Sequence, residues 1–464
     1  MAKRSTLTAK NLAALGADEL AKALLAEAKS NKVLKRKLAL MLAASDGPNA
    51  LANKVRGRIT TLQRTRSFVD WQGVKEFERE LDQLRSIIVE QVAPKAPDMA
   101  VELLWRFLDL SDATLERCDD SSGRIGDVFR AAVHDLGAIA EQAPNDQAVL
   151  ADAIVERLRN NGFGVFDELM EAIAPALNSE GITRLEGNLG AWRDEVRQAI
   201  DNSIDRSTRR DFRLYAVQTA LQQLADMRGD VDAFIAVEDQ RALTNPVFAS
   251  RIAVRLVAAC RAEEALDYLD RATPETGFGR REWSDARIAT FAALDRHDEA
   301  QSLRWNMFQS TLDPQYIRSY LGELPDFDDV EAEIKALDWL ETHEKVDRAL
   351  AFLIEWPAPD RAARLVETRY SDLDGNAYYV LSPAADALSG KFPLAATLLR
   401  RALVETTLNG AKSTRYKHAA RHILEMKNQD TAIDDYGTHE THEAFMQRMR
   451  DKHFRKHGFW SQVD

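Results

Sequence analysis

The chain has 464 residues, of which 45% are hydrophobic and 29% charged, and its formal net charge at pH 7 is −12. This length accommodates two or three domains or one long solenoid, with a large core. Only 13 prolines and no sustained run of alternating β-branched residues argue against much sheet, so we expect an all-α fold. The two cysteines, Cys118 and Cys260, lie too far apart for a CxxC motif and exclude a disulfide framework or a cysteine-rich zinc module.

The pattern of apolar residues indicates where in the cell the protein is expected. The N-terminus lacks a continuous apolar signal segment, and no stretch approaches the roughly 18 apolar residues of a membrane span. We therefore expect a soluble, cytoplasmic protein without membrane association.

The charge is distributed unevenly along the chain. Residues 1–66 hold 14 Lys and Arg against 4 Asp and Glu, residues 67–399 hold 36 against 61, and residues 400–464 hold 12 against 9. Basic ends and an acidic middle are typical either of nucleic-acid binding or of contacts between the ends and the middle.

Residues 1–66 are predicted to form a basic N-terminal helical segment. Apolar residues at helical spacing predict helices over 17–30 and 31–43 and a third from Leu51 to Leu62. Five basic residues on these helices are candidates for contact with nucleic-acid phosphates: Lys32, Arg36, Lys54, Arg56 and Arg58. Because the basic residues of the third helix spread around it instead of forming one stripe, a solvated or intramolecular role is the favoured alternative.

Residues 67–208 are predicted to form a helical domain. The aromatic residues Phe68, Trp71, Trp105 and Phe107 are interpreted as core. The polar stretch from Cys118 to Asp127 is the one that most resembles a site, but a calcium loop beginning at Asp119 would have Arg130 at its twelfth position. An aspartate or serine of this stretch is instead predicted to cap a helix over 126–140.

Another loop, 161–166, contains Gly162 and Gly164, one residue apart, ahead of a further helix. Two glycines at this spacing are too weak a signal for a phosphate cradle.

Residues 209–464 are predicted to form helical hairpin repeats with a basic C-terminal cap. Three polar turns each precede a helix that begins near a small residue, and the marker alanines Ala233, Ala265 and Ala300 are 32 and 35 residues apart. This interval is close to the roughly 34-residue period of tetratricopeptide repeats, in which neighbouring hairpins stack to share a core. Ala349 and Ala395 mark later, more widely spaced repeats. The predicted architecture is a tetratricopeptide-like α-solenoid preceded by an N-terminal helical region.

The sequence contains no recognisable catalytic or cofactor-binding motif. There is no GxSxG elbow, no GxxxxGK[ST] loop and no GxGxxG fingerprint. The pairs His418/His422 and His453/His457 have the four-residue spacing that places two imidazoles on one helical face, but no carboxylate at a telling offset completes a metal site. We therefore expect no catalytic residues, no bound metal and no cofactor, with a cryptic metal enzyme as a third alternative.

Several motifs together resemble an uncharacterised bacterial family of helical-repeat proteins. They include Phe-Val-Asp-Trp at 68–71, Gly-Phe-Gly-Val-Phe-Asp at 162–167, the three repeat turns, and Arg-Lys-His-Gly-Phe-Trp at 455–460. The resemblance covers most of the chain and implies no assigned activity. The C-terminal repeats are also similar to those of proteins with a SWIM-type zinc finger, but the CxC…CxH ligand set is absent, so no zinc is implied.

These observations favour a non-catalytic scaffold or adaptor that binds a protein or peptide partner through stacked helical hairpins. The residues predicted to contact the partner are Arg213, Tyr215, Arg251, Arg255, Trp283 and Arg287. The alternative is a nucleic-acid-associated factor that uses the basic N-terminal helices and the basic C-terminal tail. Its affinity would fall steeply with salt.

Overall fold

A computed structural model describes residues 7–202, 212–239, 242–274 and 277–463. Throughout these ranges the chain forms helices and no strand, and the predicted all-α class is confirmed. Helices pack mainly against their neighbours along the chain, consistent with a helical repeat fold. The chain divides into two compact units, Met1–Leu243 and Thr244–Asp464.

The described helices of the first unit are short to medium in length, and a π-helical segment, Ile88–Val92, extends the fifth. In chain order they are α1 (Ala9–Ala13), α2 (Ala17–Ser30), α3 (Lys32–Ser45), α4 (Pro48–Arg64), α5 (Val74–Ile87), α6 (Pro97–Leu108), α7 (Ser111–Leu115), α8 (Arg124–Gln142), α9 (Gln147–Arg159), α10 (Leu169–Ile173), α11 (Ser179–Asp201), α12 (Phe212–Arg228) and α13 (Val231–Ala236).

One hydrophobic core joins α4 to α12. The apolar stripe of α4, which includes Leu51 and Val55, is buried in the same cluster as Phe107 of α6 and Leu224 of α12. Residues of segments 1–66 and 67–208 and of α12 therefore share a core. The two compact units divide after Leu243, and the predicted boundaries at residues 66 and 208 stay predictions.

The helix-capping prediction is confirmed at Asp120. Its carboxylate accepts hydrogen bonds from the backbone N–H groups of Ile125 at 3.0 Å and Gly126 at 2.9 Å, in the first turn of α8. These groups have no partner within the helix, so the carboxylate satisfies donors that would otherwise be unpaired.

The interpretation of Phe68 and Trp71 as core residues is wrong, since their exposed fractions are 66% and 69%. The backbone of Val69 between them bonds to both sides of Cys118: its N–H donates to the Arg117 carbonyl, and its carbonyl accepts from the Asp119 N–H, each at 2.9 Å. Successive side chains of extended chain point to opposite sides. Val69 packs against the core and its aromatic neighbour Phe68 faces solvent. The other two aromatics lie inward, with Phe107 buried and Trp105 packed against the core.

The second unit continues with helices arranged as successive hairpins. They are α14 (Pro246–Ala258), α15 (Ala262–Arg271), α16 (Arg280–Ala293), α17 (His297–Thr311), α18 (Pro314–Leu321), α19 (Asp328–Glu341), α20 (Val346–Glu355), α21 (Pro359–Thr368), α22 (Tyr378–Leu388), α23 (Pro393–Asn409), α24 (Tyr416–Gln429), α25 (His442–His453) and α26 (His457–Trp460).

The marker alanines of the predicted repeats occupy packing positions. Ala265, Ala300, Ala349 and Ala395 are fully or almost fully buried, and Ala233 is partly buried. A small side chain at these positions lets the second helix of a hairpin approach the first closely. The narrower assignment to tetratricopeptide-like repeats remains a prediction.

None of the helices in the described ranges is both long and apolar enough to cross a bilayer.

Candidate functional site

A groove in the first unit is lined by α9, the loop 160–167, α11 and α12. We call it the Trp192 groove, and its volume is about 760 Å³. We call its apolar residues the floor and its polar and exposed aromatic residues the rim. The floor comprises Leu158, Phe166, Trp192, Ala216 and Ala220. The rim includes Asp112, Arg159, Asn160, Asn161, Asp167, Phe212, Arg213, Tyr215, Thr219 and Gln223.

The loop 160–167 is fixed by its own polar side chains. The amide of Asn161 accepts a hydrogen bond from the Phe166 N–H at 3.0 Å and donates one to the Asp167 carboxylate at 2.7 Å. Gly164 has φ +69°, a left-handed conformation that glycine adopts without the steric cost of a Cβ. These bonds hold Phe166 in the floor, so this wall of the groove is preorganised.

Trp192 of α11 forms the base of the groove. It is only 3% exposed and belongs to the hydrophobic core of the unit. The guanidinium of Arg159 lies over its ring, 5.4 Å from the centroid, and also pairs with Glu195 at 2.9 Å. Arg159 is thus held in place, and a carboxylate already balances its charge.

Two aromatic side chains at the start of α12 stand out from the rim. Phe212 is 86% exposed and Tyr215 is 72% exposed. Large aromatic side chains usually bury most of their surface, and a pair left in water beside an apolar floor is typical of an interaction site. Both side chains belong to the lining of the groove whose base is Trp192.

The charges balance among the groove residues that the structure describes. Two arginines, Arg159 and Arg213, accompany two carboxylates, Asp112 and Asp167. Burial raises the pKa of the Asp112 carboxyl, and the nearby Glu116 adds to the shift. This described lining has no excess of positive charge to attract nucleic-acid phosphates.

The six residues predicted to contact a partner fall into different units. Arg213 and Tyr215 line the Trp192 groove. The remaining four lie in the second unit, on α14 for Arg251 and Arg255 and on α16 for Trp283 and Arg287.

The predicted contact residues of α14 and α16 take part in local packing. Trp283 donates from its indole Nε1 to the Leu269 carbonyl at 2.8 Å, and Arg287 pairs with Asp270 at 2.5 Å while its guanidinium lies over the Trp283 ring. These contacts join α16 to α15. On α14, Arg255 donates to the Arg251 carbonyl at 2.8 Å, and Arg251 lies over the ring of Phe248.

The residues predicted for nucleic-acid contact are partly engaged within the first unit. Arg56 pairs with Glu102 of α6 through Nε at 3.3 Å and Nη2 at 2.7 Å. Arg58 forms an ion pair with Glu80 of α5, whereas Lys54 is exposed. The side chains of Lys32 and Arg36 lie outside the described residues. Arg56 and Arg58 of the N-terminal segment thus pair with carboxylates of the acidic middle.

The sequence interpretation did not identify Trp192, Arg159 or Asp112. The only available signals were the pair of glycines in the loop and the aromatic pair at the start of α12, which are about 50 residues apart in the chain. Neither signal predicts that Trp192 of α11 lies in the same groove as the loop and the aromatic pair.

The histidine pairs occupy different environments. His418 is exposed, whereas His422 is buried and its Nδ1 lies 3.1 Å from Glu425 Oε2. His453 is buried and His457 exposed. Across the described ranges, no three His, Cys, Asp or Glu residues are grouped in a way that could hold a metal ion.

A protein-family comparison matches nearly the whole chain. A model described as "Family of unknown function (DUF6880)" matches residues 2–462. The comparisons with curated proteins and with solved structures give no match.

Proposed function

The chain belongs to the DUF6880 family, whose function is unknown, and on that premise we propose that it is a non-catalytic adaptor that binds an extended peptide segment of a partner protein. The peptide lies in the Trp192 groove. The observation that carries the proposal is the pair of exposed aromatic residues, Phe212 and Tyr215, beside a preorganised apolar floor.

The composition of the groove favours a peptide over other ligands. Trp192 and Phe166 offer a surface for an apolar or aromatic side chain of the peptide, and Phe212 and Tyr215 enclose it from the rim. The amide of Gln223, whose contact with the Asp167 carbonyl is long at 3.4 Å, is placed to bond a peptide backbone instead. Aromatic grooves with such amides are a recurring mode of peptide recognition.

The proposal is tested by selection of phage-displayed random 12-residue peptides on the full-length chain, followed by fluorescence anisotropy with the enriched peptides. We expect enriched peptides to contain an aromatic or apolar anchor. Their affinity is expected to fall at least tenfold in Tyr215→Ser and in Phe212→Ser, because truncation of a central aromatic contact removes about 2 kcal/mol or more.

Tyr379→Ser is the matched control, since Tyr379 is an exposed aromatic residue of similar accessibility on α22. Equal loss in this variant and in Tyr215→Ser, or no selected peptide that depends on Tyr215, contradicts the proposal. The same assay with labelled single-stranded and duplex oligonucleotides tests the nucleic-acid alternative. Tight, steeply salt-dependent binding of these probes together with no peptide binding would reverse the assignment.

A further inference from the structure

A second cavity in the first unit lies between α3, α4 and α5. We call it the α3–α5 pocket, and its volume is about 410 Å³. This lies within the range of about 300–1,000 Å³ that is usual for small-molecule sites. Its lining is separate from that of the Trp192 groove, so the inference does not depend on the proposed peptide site.

The pocket has an apolar side formed by two elements. Leu84 and Ile87 of α5 are buried members of the core, and Leu40 of α3 packs against the same cluster. Their carbon surface facing the cavity provides a place for a hydrocarbon chain.

The described lining of the pocket also includes three cations. Lys54 and Arg58 are four residues apart on α4, which places them on one face of the helix, and Arg79 lies on α5. Like charges at this spacing disfavour a helix. Arg58 is compensated by its ion pair with Glu80, but Lys54 and Arg79 form no hydrogen bond or ion pair with any residue in the described ranges.

The guanidinium of Arg58 has a hydrogen-bond donor that its ion pair does not use. Its Nε is buried and has no acceptor among the described residues, although its Nη2 is paired with Glu80. A buried N–H without a partner is unfavourable.

The charge count of the lining selects the class of ligand. Among the lining residues that the structure describes, three cations accompany two carboxylates, Glu76 and Glu80, which leaves an excess of one positive charge in this part of the lining. A monoanion neutralises this excess, whereas a phosphate dianion would bring an additional negative charge beside both glutamates.

We propose that the α3–α5 pocket binds a small amphipathic monoanion, a medium-chain carboxylate. The carboxylate lies among Lys54, Arg58 and Arg79, and the alkyl chain covers Leu40, Leu84 and Ile87.

The test is titration of the full-length chain with sodium octanoate by isothermal calorimetry, below the concentration at which it forms micelles. We expect saturable binding, and at least tenfold weaker binding of octylammonium, which has the same chain with the opposite charge. Affinity is expected to increase about two- to fourfold per methylene from hexanoate to octanoate to decanoate, because each additional methylene is buried.

The variant Lys54→Gln/Arg79→Gln is expected to lose at least tenfold in octanoate affinity. Both side chains are exposed, so the fold should be retained, and Lys75→Gln, an exposed position of α5 outside the pocket, is the matched control. The proposal is overturned if octanoate does not saturate, if octylammonium binds equally well, or if the double variant behaves like the control. It is also overturned if inorganic phosphate displaces octanoate at the same concentration, or if decanoate binds no tighter than hexanoate.

Discussion

Two adjacent buried arginines in α23 differ in how completely they are satisfied. Arg400 is 3% exposed and donates four hydrogen bonds of 2.7 to 3.0 Å, to Glu425, Gln429, Asp386 and Ser389. Arg401 is 1% exposed and donates only from Nη1, to the Glu440 carbonyl at 2.7 Å. Its Nε and Nη2 have no acceptor within the described ranges.

These environments predict that the same substitution costs more stability at Arg400 than at Arg401. Arg400→Met removes four hydrogen bonds, but Asp386 is largely exposed and Glu425 keeps its ion pair with Arg421. We therefore expect a loss of about 2–3 kcal/mol in the free energy of unfolding. Arg401→Met removes a cation that has one hydrogen bond and lies over the rings of Tyr436 and Phe445, and whose pKa is lowered by burial. Its cost should stay below about 1.5 kcal/mol. Denaturant unfolding measures both variants, and equal costs would contradict this account.

Gly137 marks a close approach between α8 and the chain of α10. A Cβ built on it would lie 2.0 Å from the backbone oxygen of Ala172, which cannot move independently of its helix. We expect Gly137→Ala to lower the free energy of unfolding by about 1–3 kcal/mol or more through overpacking.

Gly187→Ala is the control for this prediction, because a Cβ at Gly187 of α11 meets no atom within 4 Å. Alanine there should stabilise the chain by about 0.5–1 kcal/mol through helix propensity. Thermal unfolding of the two variants gives the comparison. A Gly137→Ala variant as stable as Gly187→Ala would show that the two helices are not packed this closely.

At the scale of the helix, the C-terminal histidines make stability depend on pH. Burial lowers the pKa of His422 on α24, an effect that the Glu425 carboxylate partly offsets, and burial also lowers the pKa of His442 and of His453 on α25. A base with a lowered pKa in the folded state binds fewer protons than in the unfolded state. The stability of the folded chain therefore decreases as pH falls through the ordinary titration range of histidine.

We expect the unfolding temperature of the wild-type chain to decrease from pH 7.5 to pH 5.5. In His422→Gln this decrease should be smaller by about 2 °C or more. His418→Gln, at an exposed position four residues earlier on α24, is the matched control. Parallel decreases in the wild-type chain and His422→Gln would show that this imidazole does not contribute to the dependence on pH.

The helices were more predictable from the sequence than the groove. Periodic apolar residues and caps such as Asp120 act over one or two turns, and marker alanines such as Ala265 follow from the packing of neighbouring helices. The Trp192 groove brings together the loop around Asn161 and the aromatic pair that includes Tyr215. Residues so far apart in the chain are brought together only by the packing of the helices between them. No local sequence pattern predicts that they meet.

Some local errors have the same origin. Phe68 and Trp71 have the composition of a core segment, but a hydrogen-bonded bridge between Val69 and Cys118 determines which side chain faces inward. That bridge joins positions 49 residues apart. The consecutive arginines of α23 were likewise visible in the sequence, yet only the tertiary structure separates the satisfied one from the unsatisfied one.

At the scale of the whole molecule, the charge asymmetry of the sequence is partly resolved within the first unit. The basic segment 1–66 contributes Arg56 and Arg58, and the acidic segment after it contributes Glu102 and Glu80. Hydrogen bonds from Arg56 are the main cause of the lowered pKa of Glu102, so this carboxylate is ionised at neutral pH. A cation held in such a pair is less available to a phosphate.

This arrangement predicts that nucleic-acid affinity is limited by the pairing and not by a lack of basic residues. In anisotropy titrations with labelled duplex DNA, the wild-type chain should bind weakly at about 0.15 M salt, with a shallow dependence on salt. Glu80→Gln/Glu102→Gln releases Arg58 and Arg56, and also Arg106, which pairs with Glu102 at 2.7 Å. This double variant should bind more tightly at low salt, with a slope of log affinity against log salt steeper by about 0.9 for each new phosphate contact.

Glu90→Gln/Glu116→Gln removes the same number of carboxylates from exposed positions of the first unit and controls for the change in net charge. If both double variants gain the same affinity, the effect arises from net charge, and the specific pairing is not responsible. If the wild-type chain already binds tightly with a steep slope, Arg56 and Arg58 exchange carboxylate for phosphate at little cost. In that case the ion pairs do not prevent these arginines from contacting phosphates, and the nucleic-acid alternative is favoured.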